Sequence, residues 1–109
     1  MSRYPTILFL CTGNYYRSRF AELYFNHLAE SAVLPWRADS RALAFELGTY
    51  LVGNISPATV AELARLGVTL PADHRPRWAC SEADLQGAQQ IIALKEAEHR
   101  PLLADRFPA

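Results

Sequence analysis

The sequence predicts an α/β chain, a parallel sheet layered between helices. Three observations predict it. The run Pro5-Thr6-Ile7-Leu8-Phe9-Leu10 is almost continuously apolar, as a strand buried on both faces must be. Segments of helical period with their own start signals then alternate with short strand-like runs along the chain. Finally, strands joined by helical crossovers pair in parallel, and right-handed connections place helices on both faces of the sheet.

The elements follow in order. After the first strand, Phe20, Leu23, Tyr24, His27 and Leu28 recur at helical spacing, with Ala21 and Glu22 as good helix formers. That helix should end between Ser31 and Pro35, because proline cannot continue it. Trp36 to Arg41 reads as the second strand. Ala42 to Ile55, punctuated by Gly48, Gly53 and Asn54, reads as an irregular surface loop, with Phe45 or Tyr50 available to wall a cleft. Ser56-Pro57 is a helix start and Gly67 its stop, with Val60, Leu63, Ala64 and Leu66 as the expected buried face. Ser81-Glu82-Ala83-Asp84 resembles a capping box opening a short helix that Gly87 closes. Gln89 to Leu94 is the third strand, and Lys95 to Leu103 a turn and helix.

Composition narrows the function. A chain of 109 residues, half of them hydrophobic and a fifth charged, fits one small domain. Formal net charge is zero and the ten arginines are dispersed, so nothing steers the chain toward nucleic acid or an anionic membrane. No apolar run approaches the ~20 residues of a membrane span, and Met1-Ser2-Arg3 leads directly into a strand, so a cytoplasmic location is expected. The two cysteines, Cys11 and Cys80, supply neither metal-ligand spacing nor a disulfide framework, and no cofactor is implied. Cys80 reads as a structural thiol.

The chemistry concentrates in Cys11-Thr12-Gly13-Asn14-Tyr15-Tyr16-Arg17-Ser18, at the carboxyl end of the first strand, where open α/β sheets place ligands. Five residues between Cys11 and Arg17 give enough backbone to curl around a tetrahedral oxyanion with the amides inward. Thr12 to Arg17 are therefore the candidate phosphate-binding residues. A thiol at a helix N-terminus beside a guanidinium is a natural nucleophile, and the planar fork of Arg17 can hold two phosphoryl oxygens. Gly13 and Asn14 tolerate left-handed backbone angles, and Ser18 can donate to the sulfur. Cys11, Arg17 and Ser18 are the candidate catalytic residues. The Cys-to-Arg spacing alone is weak; its place between a strand and a helix makes it specific.

The stretch ILFLCTGNYYRSRFAE resembles the opening of the low-molecular-weight protein tyrosine phosphatases, a family that includes thioredoxin-coupled arsenate reductases. The resemblance is specific over residues 6 to 30 and follows the order of elements to about residue 103. It implies strand order 2-1-3, Cys11 as nucleophile, Arg17 as phosphate ligand, and Asn14 and Ser18 as braces of the loop. It also implies a bracing role for Ser40, and for His74 a link to the Asn and Ser of the loop. Many members carry a second Cys just before the Arg, where this chain has Tyr16. The family continues with a fourth strand, an Asp-Pro loop supplying the general acid, and a last helix, which lie beyond the resemblance here; Asp73, Asp84 and Asp105 lack the context of that acid. A slow phosphatase is therefore expected, with the third strand an uncovered edge that invites homodimerisation.

The partner expected is a phosphorylated protein or a small aryl phosphate. A non-catalytic phosphate or phosphotyrosine binder is the alternative. Arsenate reduction is disfavoured, since the third strand ends in Leu94-Lys95, where that branch has a Cys.

Overall fold

The computed structural model describes residues 5–48, 53–70 and 75–107. Three strands, β1 (Thr6–Cys11), β2 (Arg37–Ala42) and β3 (Gln90–Ala93), form an open, wholly parallel sheet in the order β2-β1-β3. The strand carrying Cys11 is central, as expected. Its register pairs Cys11 with Ala42 and Leu10 with both Arg41 and Ala93, so the three carboxyl ends gather at one edge. An isolated bridge from Ala42 to Ala79 extends the pairing beyond β2.

Four helices connect and cover the strands: α1 (Arg17–Ser31), α2 (Pro57–Arg65), α3 (Glu82–Gly87) and α4 (Glu96–Arg106). Strand alternation sorts the core. Leu8 and Leu10 point to one face, where with Leu43 they form a buried cluster against Leu85, Leu102, Leu103 and Phe107. Phe9 points to the other, its ring 6.3 Å from that of Phe25 on α1. β3 is an edge strand, with Ile91 and Ile92 exposed.

The start signals read from the sequence are real caps. The Ser56 hydroxyl accepts from the Ala58 amide at 3.2 Å, and Gly67 stops the chain beyond α2 with φ 86°. Ser81 and Asp84 make a reciprocal capping box, each side chain accepting from the other's amide. The loop after β2 contains a short 3-10 turn, Phe45–Gly48; Tyr50 lies outside the described residues.

Helix faces depart from the apolar pattern. The buried residues of α1 are Ser18, Arg19, Glu22 and Ala29, whereas Phe20, Tyr24 and His27 form a half-buried aromatic ladder and Leu28 is exposed. On α2, Thr59 and Leu63 are buried while Val60 and Ala64 are exposed, because Thr59 turns inward to donate its hydroxyl to the Tyr16 carbonyl at 3.3 Å. Polar side chains take these positions because the helices support a loop as well as a core.

Leu10 is fully buried at the centre of the apolar cluster. Leu10→Ala is expected to lower unfolding free energy by about 2–5 kcal/mol, read from urea denaturation, through lost transfer energy and the cavity left behind.

Candidate active site

β1 ends at Cys11, and the chain turns through residues 12–16 before α1 begins at Arg17. The Tyr16 side chain, at the N-cap position, makes no capping bond to α1. The helix's first amides are therefore available to a ligand.

The loop is held from outside by its carbonyls. Those of Cys11 and Thr12 accept from the amides of Leu43 and Ala44 at 2.8 and 2.9 Å, and that of Tyr15 from the Ser56 amide at 2.9 Å. The Gly13 carbonyl accepts from Arg77 at 2.7 Å, and that of Tyr16 from the Phe20 amide at 3.0 Å. In a trans peptide the C=O and the following N–H point opposite ways. Carbonyls anchored outward thus aim the amides of residues 12, 13, 14, 16 and 17 toward the concave side. Of the two residues expected to tolerate left-handed geometry, Asn14 is the one that adopts it, at φ 52°.

Asn14 is completely buried, and its side chain uses its full hydrogen-bonding capacity. Nδ2 donates to Ser18 Oγ and Ser40 Oγ, both at 2.8 Å, while Oδ1 accepts from Arg75 Nη1 and the Trp78 amide, both at 3.1 Å. These bonds hold their neighbours in place. Ser18 Oγ accepts from Asn14 and is hydrogen-bonded to Cys11 Sγ, 2.9 Å away, which keeps a hydroxyl able to donate beside the sulfur. Ser40 Oγ accepts from Asn14 and Arg75 and donates to Glu22 Oε1 at 2.5 Å. Ser40 thus lies between Asn14, Arg75 and Glu22.

Arg75 is the residue the sequence did not single out. Its guanidinium reaches Asn14, Glu22 at 2.9 Å and both the carbonyl and the hydroxyl of Ser40 at 2.8 Å, and it lies over the Trp78 ring at 4.9 Å. Burial pulls its pKa down, while Glu22 and Asp39 favour the charged form. The adjoining His74, expected to link to the same Asn and Ser, lies outside the described residues, as does Asp73. Composition hid Arg75 because dispersed arginines look like surface charge. Its signal was its position in a loop rich in Pro and Arg, without any helical period to explain it.

At the open side, Arg17 meets a second unforeseen residue. Nη2 lies 2.8 Å from Glu98 Oε2 and Nη1 3.5 Å from Oε1, and the Thr12 hydroxyl also donates to Oε2. Hydrogen bonds from Arg17 and then Thr12 hold the Glu98 carboxyl down to about 2, against an opposing effect of burial. Its neighbour His99 is wholly buried, and desolvation lowers its pKa against the raising effect of Glu98. His99 Nδ1 accepts from the Lys95 amide at 3.1 Å, which leaves the ring proton on Nε2, 3.0 Å from Glu98 Oε2.

The remaining candidates divide clearly. Tyr15 is partly buried and Tyr16 exposed beside a groove shared with Arg17, Phe20, Thr59 and Leu94. Phe45 lies under the guanidinium of Arg77, 4.3 Å from the ring centre, at the rim. Asp84 caps α3 and pairs with Arg41 at 3.2 Å, and Asp105 lies exposed near the end of α4. Cys80 packs against the leucine cluster, and burial raises its thiol to about 11. Among the described residues no group of His, Cys, Asp and Glu could hold a metal ion. No helix among them is long and apolar enough to cross a membrane.

Comparison with known families now decides the lineage: the sequence model for low molecular weight phosphotyrosine protein phosphatases matches residues 6–107. The chain belongs to that family. Comparison with curated sequences gives no match. Among solved structures, the low molecular weight protein tyrosine phosphatase of T. tengcongensis is 28% identical with a TM-score of 0.75, over 96% of this chain and 67% of that one. YfkJ of Bacillus subtilis is 31% identical with a TM-score of 0.80, over 98% of this chain and 65% of that one. Vibrio vulnificus Wzb, solved with benzylphosphonate, is 17% identical and shares the fold, with a TM-score of 0.79 over 96% of this chain and 67% of that one. This member of the phosphatase family thus spans about two thirds of the length of the structures it matches.

Two outcomes follow from these environments. At pH 7 Cys80 should react with iodoacetamide about 100-fold more slowly than an ordinary thiol, because two units of pKa reduce its thiolate by that factor; peptide mapping of alkylation rates checks it. Glu98 is ionised at lower pH in the folded chain than in the unfolded one. Its stabilising effect is full above the unfolded value of about 4.5 and disappears as pH falls through about 2. The difference in urea midpoint between wild type and Glu98→Gln should accordingly be present at pH 7 and vanish by pH 2.

Proposed function

We propose that the chain is a phosphoric monoester hydrolase of the protein tyrosine phosphatase type, acting through a phosphocysteine on Cys11. One observation carries the reading: Cys11 Sγ lies 2.9 Å from the Ser18 hydroxyl, at the start of a loop whose carbonyls are anchored outward and whose last residue is Arg17. Each part then has a task. The sulfur attacks phosphorus in line, forming the S–P bond as the ester P–O bond breaks and the leaving oxygen takes a proton from solvent water. The inward amides of the 12–17 loop and the Arg17 fork stabilise the equatorial oxygens as charge spreads over them. Water then attacks the phosphocysteine, losing its proton to solvent, so that the S–P bond breaks, inorganic phosphate leaves and the electron pair returns to sulfur, where a hydrogen bond from Ser18 stabilises it.

Asn14, Ser40 and Arg75 act at one remove. Their bonds keep Ser18 and the loop in the geometry the chemistry needs. The substrate class proposed is a phosphorylated protein or small aryl phosphate, with Tyr16 and its neighbouring groove beside the cradle for an aromatic ring. The family's reductase chemistry finds no support at the end of β3, where Leu94 and Lys95 stand. Cys80 instead follows Ala79, which bridges the far side of β2.

Rapid mixing with p-nitrophenyl phosphate should give a burst of nitrophenol equal to the enzyme present, followed by steady turnover. Cys11→Ser should remove turnover while keeping affinity for inorganic phosphate, and Arg17→Lys should weaken that affinity by about 10- to 100-fold, the loss of charge-assisted bonds. A Cys11→Ser variant as active as wild type would refute the assigned nucleophile.

A further inference from the structure

Arg17 is not idle in the unliganded molecule. Donors from three places converge on the carboxylate of Glu98: the fork of Arg17 at the end of the loop, the hydroxyl of Thr12 at its beginning, and Nε2–H of the buried His99. Two carboxylate oxygens facing two guanidinium nitrogens is the same side-by-side pairing that Arg makes with two oxygens of a phosphoryl group. Glu98 reaches this point because α4 begins at Glu96, directly after the turn from β3, which carries its first turn across the carboxyl edge of the sheet.

We propose that Glu98 is a built-in competitor for the oxyanion site, holding the Arg17 fork until an incoming phosphoryl group displaces it. The proposal rests on the reading that Arg17 binds the phosphoryl group. A carboxylate and a phosphate dianion cannot share one edge of a guanidinium, since their like charges would face each other in a part-buried site. One must leave. Thr12 belongs to the loop and Arg17 to its end, so a phosphoryl group entering the cradle takes two of the three donors from Glu98. His99, on the same turn of α4, keeps its hydrogen bond and holds the displaced carboxylate near the mouth. The affinity of the site is thereby set below what the loop alone would give, by a side chain that has no part in the loop.

The competing view makes Glu98 a positioning residue that aims Arg17 at the substrate. The two views predict opposite signs. Inorganic phosphate is titrated calorimetrically into the full chain as wild type, Glu98→Gln and Glu98→Ala, with thermal unfolding of each recorded to confirm that it is folded. Gln removes the charge but keeps the shape, so it serves if the Ala variant unfolds. Competition predicts phosphate binding at least tenfold tighter in the variants, with a parallel fall in KM for p-nitrophenyl phosphate. Weaker or unchanged phosphate affinity in a folded Glu98→Gln variant overturns the proposal and leaves the phosphatase reading standing. A loss of kcat with unchanged affinity overturns it too, by making Glu98 a participant in the chemistry. If neither wild type nor variants bind phosphate, this inference and the phosphatase reading fail together.

Discussion

The structure depends on one buried amide. Asn14 spends both hydrogens of Nδ2 and both lone pairs of Oδ1 on four partners drawn from α1, β2 and the segment after residue 74. It does so with its own backbone in a left-handed conformation that most residues avoid. Neither feature is stable without the other. The side-chain bonds offset the backbone strain, and the backbone geometry brings the side chain to the point where four partners meet. A buried amide with any of these bonds missing would cost about 1–3 kcal/mol per unsatisfied group, so the arrangement favours one conformation of the loop strongly.

From that point the order spreads in two directions. Toward the sulfur, Asn14 holds the Ser18 hydroxyl at hydrogen-bonding distance from Cys11 Sγ. Away from it, Ser40, Glu22, Arg75 and Arg19 form a buried network in which Glu22 accepts from two guanidinium groups, each at 2.9 Å. Burying so much charge is expensive, and a core of leucines in the same place would be at least as stable. What hydrocarbon cannot do is hold a strained polar loop in register. The polar faces of α1 and α2 belong to the same economy: Thr59, Glu22 and Arg19 occupy inward positions because the loop and its supports present polar groups to them.

How much of this the sequence disclosed follows from the range of the interactions. The parallel sheet, the caps at Ser56 and Ser81 and the turn that follows Cys11 were legible because each is written in neighbouring residues, by period, cap or spacing, whereas the central place of β1 came through resemblance. Ser40 was legible only through resemblance. Arg75 and Glu98 were not, because the loop residues they bind, Asn14 and Arg17, lie 61 and 81 residues away. The buried face expected for α2 was met at Leu63 but not at Val60 or Ala64, for a related reason. Helical spacing of apolar residues reports a core face only when what lies opposite is apolar, and here part of what lies opposite is a hydrogen-bonded loop.

Arg17 and Arg75 then show why one residue type serves two ends of the same loop. Arg75 is enclosed, with its nitrogens committed to fixed acceptors and its flat face against Trp78, so it behaves as a structural post. Arg17 is more than a third exposed and pairs with a side chain on another helix, an arrangement that can open without disturbing the loop itself. A phosphate site needs both properties: a frame that does not relax when charge arrives, and one cation free to change its partner. Rigidity below and a replaceable pairing above are separable because Asn14, which anchors the loop, shares no bond with the Arg17–Glu98 pair.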